Sequence, residues 1–174
     1  KAQAVQSPRW DATVRQGIND FIAAYGKDSP NYDKNNHPYA VFDFDNTTSI
    51  LDVGEQLEVW QLDHLQFAVP PTQMKSVLMT GIPADKLDAI RAAVSYFKVP
   101  GVKDVLAMTN KVDANGRYLN QYDYDLHPQT QGVGKAETLA KILVPKYKGH
   151  GPSFTAMDSQ GDFNFCTEFK DTKE

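Results

Sequence analysis

Apolar residues recur along this chain with two spacings, and each spacing predicts an element. Trp10, Val14, Ile18, Phe21 and Ile22 fall on one helical face, followed by Gly26. That pattern predicts a helix opened by Ser7-Pro8 through capping and stopped by the glycine. Lys27 to Pro38 is a polar linker. Ala40-Val41-Phe42 then runs apolar into Asp43-Phe44-Asp45-Asn46-Thr47-Thr48. An apolar run bounded by polar residues predicts a buried strand of a parallel sheet. Val53, Leu57 and Trp60 mark a helix that continues towards Phe67 and breaks at Pro70-Pro71. Two more helical patterns follow between Thr72 and Phe97: Met74, Val77 and Leu78, then Leu87, Ile90, Val94 and Phe97. Lys111 to Tyr118 contains Asn115-Gly116 and predicts a hairpin. A helix from Lys135 to Leu143, ended by Pro145, and a last strand from Ser153 to Met157 complete the pattern.

Strands interleaved with helices predict an α/β domain with a parallel core sheet. The helices of residues 51–97 read as a cap inserted after the first strand, with one core built from residues 1–50 and 98–174. The chain has 174 residues, enough for one globular domain with a real core. Its net charge of −4 argues against a nucleic-acid partner, because a phosphate backbone calls for a basic surface. No apolar run approaches the length of a membrane span. The single Cys166 has no internal disulfide partner and no metal-ligand spacing around it, and reads as a small buried hydrophobe. No segment reads as a signal peptide.

The densest chemistry lies where the first strand ends. Asp43 and Asp45 are separated by one residue. In parallel sheets ligands bind at the carboxyl ends of strands, so both acids can face one crevice. Two acids at that spacing can hold Mg²⁺, one serving as nucleophile and the other as proton shuttle. An Asp-x-Asp pair standing alone also describes a solvated loop or an incidental cation site. A helix-loop-helix calcium loop needs Gly at its sixth position and Glu at its twelfth. Counted from Asp43 those positions hold Thr48 and Gly54, so that reading fails. Asn46-Thr47-Thr48 matches a glycosylation sequon, but a buried strand end is out of reach of glycosylation.

Two later segments extend the pattern. Ser153-Phe154-Thr155-Ala156-Met157-Asp158-Ser159-Gln160-Gly161-Asp162 is a second short apolar run ending in paired carboxylates. Gly132-Val133-Gly134-Lys135 is a glycine turn leading a lysine into a helix. This ordered set, from Ala40 to the C-terminus, resembles the haloacid dehalogenase superfamily of phosphohydrolases, most closely its phosphorylcholine-phosphatase-like branch. The resemblance implies a Rossmann-like parallel sheet with a helical cap. It implies Mg²⁺-dependent hydrolysis of a small phosphate ester, such as a phosphocholine-like one, through an aspartyl-phosphate. Asp43 would be the nucleophile and Asp45 the acid and base. Asn46 and Thr47 would bind the substrate phosphate, and Lys135 would neutralise charge. Asp158 would complete the Mg²⁺ shell with Asp43 and the backbone carbonyl of Asp45, with Asp162 in support. The resemblance alone favours a periplasmic or secreted setting.

The sequence also departs from the family. A Ser or Thr closing a second strand is expected between the first acid pair and the lysine. Thr80 closes a helical pattern at Gly81, Ser95 lies within another, and Thr109 leads into the hairpin. Met157 stands where a small residue is usual, and the chain ends soon after Asp162. These departures predict a missing segment between Tyr96 and Val105 (seen as a break in the chain) or a degenerate member. Two alternatives therefore stand beside the hydrolase: a relative that binds metal or phosphate without turnover, and another phosphotransferase of the scaffold such as a phosphomutase. A dehalogenase is disfavoured by Asp45. Tyr118, Tyr122, Tyr124, Trp60 and Phe67 are candidates for an aromatic wall around a quaternary ammonium group, and Glu55 for a pocket residue. His37, His64, His127 and His150 show no metal spacing and read as surface or half-buried residues.

Overall fold

The computed structural model describes residues 4–51, 56, 59–60, 63–64, 91, 94–115, 118–126 and 128–172. Within them the fold is mixed α/β, with one two-stranded parallel sheet and one two-stranded antiparallel hairpin. Helix α1 spans Ala12–Tyr25. Its N-cap is Asp11, whose carboxylate accepts the N–H groups of Thr13 and Val14 at 2.9 and 3.1 Å. The sequence pattern placed the start at Ser7-Pro8; the helix begins later because the Asp11 carboxylate satisfies the orphan donors better. Ser7 instead closes a turn, accepting the Trp10 N–H. Gly26 ends the helix, as its position predicts.

Strand β1, Ala40–Phe42, pairs in parallel with β4, Phe154–Ala156, in the register Ala40↔Phe154, Val41↔Thr155 and Phe42↔Ala156. The expected buried strand is corrected here, since Ala40 is exposed and Phe42 is 55% exposed. Side chains alternate between faces of a sheet. Val41 packs on the core, while Phe42 lies against Phe154 with ring centroids 5.9 Å apart. Phe21 of α1 reaches the same ring at 5.4 Å.

Strands β2, Asn110–Val112, and β3, Tyr118–Tyr122, form the predicted hairpin. The Asp113 carboxylate accepts the Asn115 N–H at 2.8 Å and starts its turn. Helix α2 spans Val133–Lys146 and runs past the predicted stop with Pro145 inside its last turn. A proline so near the end forfeits little, and the chain turns only at Lys148 and Gly149, where φ is 56° and 88°. The Gly149 N–H then bonds back to the Val144 carbonyl at 2.8 Å. After β4, a 3₁₀ turn at Gln160–Asp162 leads into the short helix α3, Phe163–Thr167.

The core joins α2 to α3: Ala136, Leu139, Leu143, Phe165 and Cys166 are buried together, with Val41 and Leu106 packed against them. Residues 102–109 adopt no strand. Most of the predicted cap segment, including Glu55, Phe67, Thr72 and Thr80, lies outside the described residues.

Candidate functional site

Two strand ends and one helix start converge here. Asp43 follows β1, and its N–H donates to the Ala156 carbonyl of β4 at 3.0 Å, extending the parallel ladder by one step. That bond sets the first acid beside the loop that carries Asp158 and Asp162. Carboxylate oxygens of Asp43, Asp158 and Asp162 lie within 4.8 Å of one another. Asp158 is exposed, Asp43 half-buried and Asp162 buried.

Lys135 enters from the first turn of α2. Gly132 caps that helix at φ 54°, a conformation that favours glycine. A Cβ at Gly134 would collide with the Gln129 carbonyl oxygen. The Gly132 N–H donates to the Gly161 carbonyl at 2.9 Å, which ties the lysine turn to the Asp162 turn. Both glycines are thus required for the path that aims Lys135. Its ammonium donates to Asp43 Oδ1 at 2.7 Å and to Asp162 Oδ1. It also lies 5.8 Å from the centroid of the Phe165 ring. Burial works against its charge, but hydrogen bonds to Asp162 and Asp43, with the charges of both, raise its pKa above the ordinary lysine value.

The loop after β1 supplies hydroxyls. Thr47 Oγ1 donates to Asp43 Oδ2 at 3.4 Å, a long bond, and Thr48 Oγ1 to the Asp43 carbonyl at 2.7 Å. Asn46 sits at φ 57° with its side-chain oxygen accepting the Leu51 N–H at 3.1 Å, so it shapes the loop. Asp45 is half-buried and its carboxylate is not part of the acid cluster. The structure therefore brings together Asp43, Thr47, Lys135, Asp158 and Asp162, and leaves Asn46 engaged with the loop backbone.

Two contributors stood in the quoted segments without an assigned role. Ser159 donates to Asp162 Oδ2 at 2.9 Å. Thr48 fastens the first acid through its carbonyl. For Ser159 the available clue was its place three residues before Asp162 in a tight turn. Of the aromatic-wall candidates, Phe67 and the side chain of Tyr118 lie outside the described residues. Tyr122 and Tyr124 meet edge to face at 5.8 Å, while Trp60 stacks on His64 at 4.5 Å. A cavity of about 350 Å³ is bordered by Arg91, Ser95, Lys103 and Asp104 and includes none of the clustered acids.

The chain shares its fold with a solved structure. It is similar to a conserved, functionally unknown protein from Anaerococcus prevotii DSM 20548, with a TM-score of 0.74 at 16% identity. The match covers 97% of this chain and 86% of that one. At that identity the likeness speaks for the fold alone. No protein-family model and no curated protein matches the sequence. Among the described residues no helix is long and apolar enough to cross a membrane.

Proposed function

We propose that this chain is a Mg²⁺-dependent phosphomonoester hydrolase of the haloacid dehalogenase type, acting through an aspartyl-phosphate on Asp43. On this reading the β1–β4 pair belongs to a Rossmann-like core, and residues 51–97 form the cap. The supporting observation is the convergence of Lys135, Asp43 and Asp162 with Asp158 at the carboxyl ends of two parallel strands.

The donor set suits a hard cation. It offers carboxylate oxygens only, and three carboxylates against one ammonium leave an excess of negative charge. Asp43 and Asp158, with the Asp45 carbonyl, would hold Mg²⁺, and Asp162 stands beside them. When bound, Mg²⁺ would neutralise charge on the phosphate oxygens. Asp43 attacks phosphorus with one carboxylate oxygen, and the bond from phosphorus to the ester oxygen breaks. Asp45 gives its proton to the leaving oxygen. Water then attacks phosphorus, Asp45 takes the water's proton, and inorganic phosphate departs with Asp43 restored. Lys135 holds the Asp43 carboxylate in place and offsets charge on the transferring group, and Thr47 donates to a phosphate oxygen.

One observation favours a second reading, a relative that binds metal or phosphate without turnover. Thr109 does not end a strand at the acid cluster; its carbonyl accepts the Asp123 N–H at 2.8 Å as the hairpin begins. Turnover of p-nitrophenyl phosphate decides between the two. The hydrolase reading expects Mg²⁺-dependent release of nitrophenol that EDTA abolishes and added Mg²⁺ restores. Turnover that survives EDTA would overturn it, and Mg²⁺ binding without turnover would select the second reading.

A further inference from the structure

We propose that Ser159 is a positioning residue of this site, which sets the Lys135 ammonium against Asp43 by fixing the carboxylate of Asp162. The inference rests on the phosphohydrolase reading above. Ser159 is the N-cap of the 3₁₀ turn Gln160–Asp162. A serine there usually uses its side-chain oxygen to accept a backbone N–H. Ser159 makes no such cap; its hydroxyl instead donates to Asp162 Oδ2 at 2.9 Å. Its carbonyl meanwhile accepts the Asp162 N–H at 3.1 Å. The residue thus holds Asp162 by both main chain and side chain.

The Asp162 side chain is only 3% exposed. A carboxylate so buried needs donors on both oxygens. Lys135 supplies one to Oδ1 and Ser159 the other to Oδ2. Without the hydroxyl, Oδ2 loses its donor and the carboxylate is free to turn about its last torsion. Lys135 bridges Asp162 and Asp43, whose side chain is 13% exposed. The more deeply buried partner fixes where the ammonium rests. Ser159 touches neither substrate nor reacting atoms on this account; it acts through Asp162.

The test uses the full chain with Ser159→Ala and Ser159→Thr. One readout is the kcat and KM for p-nitrophenyl phosphate at saturating Mg²⁺. The other is competitive acetylation of lysines with peptide mapping, without substrate or Mg²⁺, with exposed Lys148 as internal reference. Ser159→Ala is expected to lower kcat by roughly 10–100-fold with little change in KM, as loss of a residue supporting a site ligand typically does. It should also speed acetylation of Lys135 relative to Lys148, and Ser159→Thr should reverse both effects. Acetylation of Lys135 in Ser159→Ala at the wild-type rate would overturn the proposal, whatever the turnover. So would acetylation that rises equally at every lysine, because that is general loosening. Selective labelling reversed by Ser159→Thr, in a wild type without Mg²⁺-dependent turnover, would keep the positioning role and remove the phosphohydrolase reading.

Discussion

The Lys135 side and the Asp43 side of the acid cluster rest on unequal foundations. Lys135 and Asp162 stand on α2 and on the turn into α3, the two helices whose facing sides make the buried core. Asp43 stands at the end of β1, where Ala40 and Phe42 are exposed, and α1 before it has no buried residue. Packing fixes a backbone, and a fixed backbone fixes the charge it carries. The Lys135 side is therefore the reference. Asp43 is joined to it by the Lys135–Asp43 pair, by the ladder bond from Asp43 to Ala156, and through Val41 of β1, which packs on the same core.

Paired core and surface truncations would break this contrast most sharply. Leu139 is 5% exposed within the α2–α3 core, whereas Val14 on α1 is 50% exposed. Leu139→Ala should cost about 2–5 kcal/mol, and Val14→Ala should stay within about 0.5 kcal/mol. Urea unfolding of the two variants measures both. Equal losses would mean that the Asp43 side is packed as firmly as the Lys135 side.

A finer probe is Gly134→Ala. The new Cβ meets the Gln129 carbonyl, so the turn that aims Lys135 must shift. A displacement of about 1 Å in a positioning group can cost roughly 10²-fold in rate. Turnover should fall by about that factor while the protein stays folded by circular dichroism. Full turnover in this variant would show that the glycine turn does not set the lysine.

The convergence of three acids and one lysine was easier to read in the sequence than the element boundaries around them, although the Asp45 carboxylate is not part of that cluster. Asp43, Lys135, Asp158 and Asp162 each follow a short apolar run or a glycine turn, and the structure brings those four together. The helix start was misplaced because Ser7 and Asp11 are both good caps, and local pattern alone does not rank them. Pro145 looked like a stop, but a proline in the last turn removes little from a helix that Gly149 terminates. The burial of β1 was overstated because an apolar run does not reveal how many neighbours a strand has. Ser159 was quoted in its segment without a role because the direction in which a hydroxyl donates is decided by a contact across the 3₁₀ turn.

The account turns on Asp43 as the nucleophile, and a phosphate mimic addresses that directly. Beryllium fluoride with Mg²⁺, followed by ¹⁹F NMR, should give a bound fluoroberyllate signal in the wild type and none in Asp43→Asn. Asp45→Asn should keep the signal while its turnover falls by about 10²–10⁴-fold, the usual reach of general acid–base help. A bound signal and normal turnover in Asp43→Asn would contradict the account.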